Sequence, residues 1–211
     1  MNKAEYWNYI IRKRSNYYKK FKLEAEAILK KDIKKITKIK DYKDTKRINK
    51  VFQESQNEWT KYFKALSETV ITEFSSNIKT KSQESEIRDK INQYLKEKCG
   101  DKIKGITESS RKLIMDKISE GVKEGLSDYE ISKLIKDDIE QRYYNRALTI
   151  SRTEVGRASN YGLIIGAEDN GMDTKEWVAC ADDRCREWHL EADTQKVPID
   201  ENFIVNGEEI F

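Results

Sequence analysis

A mainly α fold is what this sequence predicts: an elongated body of long antiparallel helices, followed by a small C-terminal α+β unit containing a β-hairpin. Three observations lead there. The only proline of the 211 residues is Pro198, so no pyrrolidine ring breaks a helix before it. Two apolar stripes with helical spacing run through the first 80 residues. After Gly171 the pattern changes to short apolar triplets separated by turn residues.

The first stripe is Trp7, Ile11, Tyr18, Phe21, Ala25 and Ile28, at steps of three, four or seven with lysines around it. The second is Phe52, Trp59, Phe63, Leu66, Val70, Phe74 and Ile78. A polar stretch near residues 41–47 separates them, so the two helices are expected to pair as a hairpin; forty helical residues would reach about 60 Å. Breaks are expected at Thr80-Lys81-Ser82, at Gly100 and Gly105, and from Gly121 to Ser127, with shorter helices between them. Ser127-Asp128-Tyr129-Glu130 reads as a capping box, since the serine hydroxyl can accept an amide hydrogen bond while the glutamate reaches back. A helix should therefore start at Asp128 and run, with at most one interruption, to Asp169, where Asn170-Gly171 terminates it. Trp177-Val178-Ala179 suits a short strand. Asn206-Gly207, between Phe203-Ile204-Val205 and Glu208-Glu209-Ile210-Phe211, signals a tight hairpin because both residues tolerate positive φ. The division this implies is residues 1–80 as a long basic helical hairpin, 81–145 as shorter helices, and 146–211 as the α+β domain.

Composition narrows the class. Hydrophobic and charged residues are each 37% of the chain, a mixture suited to solvent-exposed helices around thin cores. No apolar run is long enough to cross a membrane, and the N-terminus lacks the apolar core of a secretory signal, so action in a cytoplasm is expected. Three cysteines leave an odd thiol under any pairing, and all are expected to be reduced. The net charge of +3 conceals a gradient: residues 1–50 carry 17 basic against 6 acidic side chains, whereas residues 151–211 carry 6 against 14. One end suits phosphate and the other a basic protein surface.

Chemistry-bearing residues concentrate in the last third. On the helix around Arg152, the positions Ala147, Ser151, Glu154, Ala158, Tyr161 and Ile165 share one face, so Glu154 lies among small or apolar residues and needs a partner. Arg157 at i+3, or Arg184 and Arg186 of the terminal unit, are the candidates for an ion pair seating that unit on the helix. Asp182, Asp183, Arg184, Arg186, Glu187, His189 and Asp193 hold enough polar groups for hydrolysis, but no nucleophile elbow, phosphate loop or metallohydrolase spacing accompanies them. Turn-stabilising hydrogen bonds are the plainer reading. Cys180, Cys185 and His189 suit zinc by donor type yet lack an evident fourth ligand, so no metal or other cofactor is expected. Lys13, Arg14, Lys19, Lys20, Lys22, Lys30, Lys31, Lys34 and Lys35, interleaved with Tyr6, Trp7, Tyr9, Tyr17 and Tyr18, form either a solvated face or a surface for double-stranded DNA without base readout.

The run Arg146-Ala147-Leu148-Thr149-Ile150-Ser151-Arg152-Thr153-Glu154, continued through Asn160, Gly162, Gly171, Trp177, Asp183-Arg184, His189, Val197-Pro198-Ile199-Asp200 and Phe203, resembles the head-morphogenesis domain of tailed-bacteriophage minor head proteins, the Mu F-like family. Two departures stand out: Thr194 follows Asp193 where the family often has glycine, and the chain stops at Phe211 where many relatives continue to a Cys-x-Cys end, so a missing tail is an expectation. The resemblance implies a minor capsid protein that acts in head assembly and is not an enzyme. It would associate with the portal protein inside the capsid, have scaffolding or major capsid protein as further partners, contact packaged DNA non-specifically, and in some phages leave with the genome. Its expected location is the capsid interior of the virion, after assembly in the host cytoplasm. Structural or docking roles are expected for Arg152, Glu154, Arg157, Trp177, Asp183, Arg184, His189 and Asp193. The alternatives are a DNA-processing hydrolase or toxin-associated module using His189 with Asp182, Asp183 or Glu154, and a free DNA-binding coiled-coil protein.

Overall fold

The computed structural model describes residues 3–42, 44–75, 81–179 and 185–210, except for the side chains of residues 3, 4, 81–83, 140 and 141. Helices α1 (Lys3–Ile36) and α2 (Thr45–Phe74) form the expected hairpin. Its turn is closed by Tyr42, buried and donating its hydroxyl to Ile36 O at 3.2 Å, and by Asp44, which accepts from Lys46 N to cap α2. The α2 stripe packs as expected from Phe52 to Phe74, while Ile78 lies outside the described residues. On α1 the buried position after Trp7 is Ile10 and not the expected Ile11: Ile10 is 2% exposed and Ile11 39%. The buried line from Ile10 through Phe21, Ala25 and Leu29 also carries Arg14 and Asp32, polar side chains that hide its period.

Gly100 and Gly105 do not end helices. Helix α3 (Lys81–Tyr94) passes through a π-helical turn (Leu95–Cys99) straight into α4 (Gly100–Lys123). Before the turn the buried positions are Ile87, Ile91 and Tyr94; the next is Cys99, five residues on, and the face then continues through Thr107, Ser110, Ile114 and Ile118. A π-turn inserts one residue, and here it re-phases the apolar face. Both glycines are exposed with open space around them, so nothing local forces a break.

Helix α5 (Asp128–Asp169) is uninterrupted, 42 residues long and about 63 Å from end to end. Its start is the expected capping box: Glu130 N donates to Ser127 Oγ, and Ser127 N donates to Glu130 Oε2 at 2.8 Å. Its end is capped at Asn170, followed by Gly171 at φ +70°. The helix packs against α1, α2 and α4 through a face of small residues: Ala147, Ser151, Ala158 and Ser159 are fully buried. At Gly162 the backbones nearly touch, since a Cβ there would lie 2.6 Å from Ile71 O. Aromatic residues of the hairpin and small residues of α5 thus make one continuous core, from Ile10 to Ile165.

The C-terminal unit has two antiparallel strand pairs, β1 (Thr174–Glu176) with β2 (Lys196–Pro198), and β3 (Phe203–Val205) with β4 (Glu208–Ile210). The short helix α6 (Glu187–Glu191) lies between the first two strands in sequence. The first strand precedes the expected Trp177–Ala179 by three residues, although Trp177 still bonds on both sides, donating to Gln195 O and accepting from Thr194 N. The β3–β4 hairpin turns at Asn206 (φ 53°) and Gly207 (φ 77°) as expected. Gln195 stitches the pairs together, its side chain donating to Ile204 O and accepting from Ile204 N. The unit has its own core of Ala192, Phe203 and Val205, with Trp177, Val197 and Ile210 packed on it.

Candidate functional site

Glu154, 5% exposed, lies halfway along the buried face of α5. Arg157 Nη1 donates to its Oε1 at 2.6 Å, and Lys102 Nζ of α4 donates to Oε2 at 3.2 Å. Each carboxylate oxygen is held by one cation, the arrangement that makes a buried charge tolerable. The second partner was not legible in sequence, because Lys102 is 52 residues away and belongs to no local pattern. Among the described residues Glu154 therefore ties α5 to α4, not to the terminal unit; Arg184 lies outside the described residues. Burial, with the Glu154 charge adding to it, pushes the Tyr94 phenol up; burial likewise raises the Cys99 thiol, which makes it a poor nucleophile. Arg152, two residues before Glu154, is exposed.

In the terminal unit His189 stacks on Trp177, with ring centroids 5.6 Å apart and planes 9° apart, and Trp177 meets Phe203 edge-on at 5.3 Å. Asp193 Oδ1 accepts from Ala179 N at 2.9 Å, fixing the chain that leaves β1. Trp177 Nε1 and His189 Nδ1 are buried without a hydrogen-bond partner among the described residues. Thr194 has φ +69°, a left-handed conformation unusual for a β-branched residue. Glycine, the family's frequent residue here, adopts it freely. Asp182, Asp183, Arg184 and Cys180 lie outside the described residues. Among those described, no group of three potential metal ligands assembles, and Cys99 is a buried free thiol. Of the residues considered for hydrolysis, His189 stacks on Trp177 and lies tilted against Trp188, while Glu154 is held by Lys102 and Arg157.

The α1 cations divide into two groups. Arg14 is withdrawn from the expected phosphate-facing set, for it is 9% exposed, lies against the Trp7 ring and donates to Asn160 Oδ1. Lys13 is pinned by Glu73 at 3.0 Å, and Lys22 lies 3.6 Å from the centroid of Tyr144. Lys30, Lys31 and Lys35 pair with Glu26, Glu58 and Glu54 along the hairpin surface. Lys19, Lys20 and Lys34 are exposed and hold no ion pair among the described residues. Charge counting along a sequence cannot foresee that α2 supplies counter-charges for Lys13, Lys31 and Lys35.

Residues 112–208, from the middle of α4 to β4, match the family described as phage Mu protein F like protein. Over these residues the chain is similar to the Mu F-like family. The match begins 34 residues before the motif-bearing run at Arg146 and takes in all of α5. That likeness supports a phage head role for the matched span. The chain is also 35% identical over 98 residues to the NAD(+)–arginine ADP-ribosyltransferase EFV of Enterococcus faecalis (strain ATCC 700802 / V583), a span covering 44% of this chain and 20% of that protein. The chain thus spans a fifth of that relative's length. No solved structure matches. Among the described residues, no helix is long and apolar enough to cross a membrane.

Proposed function

We propose that the protein is a minor head protein acting in head assembly without enzymatic activity, joined to the portal inside the capsid through its terminal unit while α1 faces DNA. The observation that carries this reading is the Mu F-like match, which spans both the long α5 helix and a terminal unit with a core of its own. Such a unit can present Trp188, Leu190 and Ile204, all exposed, to a partner without disturbing the bundle. Its acidic balance suits a basic docking face. At the other end, exposed Lys19, Lys20 and Lys34 suit phosphates, with no element shaped to read bases. Assembly takes place in the host cytoplasm, and departure with the genome fits a protein that holds both portal and DNA.

Two measurements on the purified full chain test this. Mixed with portal protein it forms a stable complex that survives size-exclusion chromatography; portal and chain eluting separately would remove the assembly role. With double-stranded DNA of arbitrary sequence, log affinity falls against log salt with a slope of roughly −4 to −5, as expected for about 4–6 neutralised phosphates. A flat dependence, or one unchanged in Lys19→Ala/Lys20→Ala/Lys34→Ala, would remove DNA contact by α1.

A further inference from the structure

The π-turn between α3 and α4 borders a recess of about 290 Å³, walled by Tyr94 and Lys98 on one side and by Arg157, Asn160 and Tyr161 of α5 on the other, with Lys102 between. Three features make it more than a gap between helices. First, its cations are pre-oriented: Lys102 and Arg157 are each held by one oxygen of the buried Glu154, and Lys102 lies 5.4 Å from the Tyr94 ring centroid. Second, the balance favours an anion. Three cations face two carboxylates, Glu154 and Glu97; the first is occupied by two of the cations, and the second accepts from Gln93 at 2.9 Å. Lys98 has no ion-pair partner among the described residues. Third, an aromatic pair lines it: the rings of Tyr94 and Tyr161 lie 5.0 Å apart at 31°, and Tyr161 is half-buried. The volume equals that of about ten waters, more than a lone tetrahedral anion needs and enough for an attached flat ring.

We propose that this recess binds a nucleoside 5′-phosphate, its phosphate against Lys98, Lys102 and Arg157 and its base on the Tyr161 ring. The π-turn is then the device that sets the site, because the residue it inserts turns Cys99 inward and puts Lys98 at the rim. The same chemistry is available from a free mononucleotide or from the phosphorylated end of a DNA strand. The site is distinct from the α1 lysines and does not depend on them.

Calorimetric titration of the full chain tests it. Deoxyadenosine 5′-monophosphate binds, deoxyadenosine binds at least ~10-fold more weakly, and inorganic phosphate competes. Lys98→Ala, an exposed change that leaves the fold intact, weakens the mononucleotide at least ~5-fold. Tyr161→Leu weakens it similarly while Tyr161→Phe does not, and Lys19→Ala/Lys20→Ala leaves it unchanged. A 5′-phosphorylated oligonucleotide displacing the mononucleotide better than its unphosphorylated twin identifies a strand end as the source, and equal displacement identifies the free nucleotide. Absence of mononucleotide binding, or binding indifferent to both Lys98→Ala and Tyr161→Leu, overturns the proposal.

Discussion

In the helical body, Phe21, Trp59, Tyr62 and Phe63 are buried to within a few per cent, make edge-to-face contacts through Tyr62, and pack in one core with the small face of α5. In the terminal unit the core is three buried residues, and the rest is held by the Trp177–His189 stack, the Asp193 and Gln195 hydrogen bonds, and two short strand pairs. Apolar burial dominates the first and directed polar contacts the second. The body is therefore expected to set global stability, whereas the unit opens locally at lower free energy and is free to adapt to a partner.

Substitutions on either side sharpen this contrast. The largest effect is expected from Glu154→Leu, which strands Arg157 and Lys102 beside the core. Removing one partner of a buried pair costs about 3–5 kcal/mol, and the 53% exposure of the Arg157 side chain lowers the expectation to at least ~2 kcal/mol in denaturant unfolding. A change below about 0.5 kcal/mol would class the pair as a surface one.

Next is Asp32, 3% exposed, which accepts from Ser55 Oγ at 2.5 Å. Burial pushes its carboxyl from 3.8 up to about 6, against the lowering effects of the Ser55 hydrogen bond, Lys35 and Lys31, and with a smaller raising effect from Glu58. The folded state thus holds this proton after the unfolded state has lost it. Stability should fall as pH rises from about 4 to about 6, by up to ~3 kcal/mol, and stay level above. Asp32→Asn, which can still accept from Ser55, should remove that slope and gain ~1–3 kcal/mol at pH 7.5. An unchanged stability–pH curve would show that water or a cation reaches the carboxylate.

The smallest effect is in the terminal unit. Thr194→Gly relieves a left-handed backbone that costs an L-residue about 1–2 kcal/mol, offset by about 0.5–1 kcal/mol of glycine's chain entropy. Hydrogen exchange at Trp177 and Ile204 amides should slow by the equivalent of ~0.5–1 kcal/mol, while α5 amides do not change. Faster exchange would mean that the threonine side chain makes a contact worth more than the strain.

Local signals were legible in the sequence. The Ser127–Glu130 capping box and the Asn206-Gly207 hairpin each need only neighbouring residues, and both fold as read. The hairpin stripes were legible except where tertiary partners made polar residues part of the core, as Asn160 does for Arg14 and Ser55 for Asp32. The step from Tyr94 to Cys99 escaped because a helical period of 3.6 does not anticipate a π-turn, and glycines taken as breaks are merely exposed. At the candidate site, the need of Glu154 for a partner and its pairing with Arg157 followed from position alone. Lys102, whose approach depends on how α4 packs on α5, did not.

The claim that the body is self-sufficient while the terminal unit carries docking is tested most directly by a chain ending at Met172. Thermal unfolding of this truncated protein should match the full chain within ~1 kcal/mol, because the main core runs only from Ile10 to Ile165. In a phage otherwise lacking the protein, the truncated chain should be absent from purified heads that incorporate the full chain. A truncated chain that enters heads as efficiently as the intact one would contradict the account.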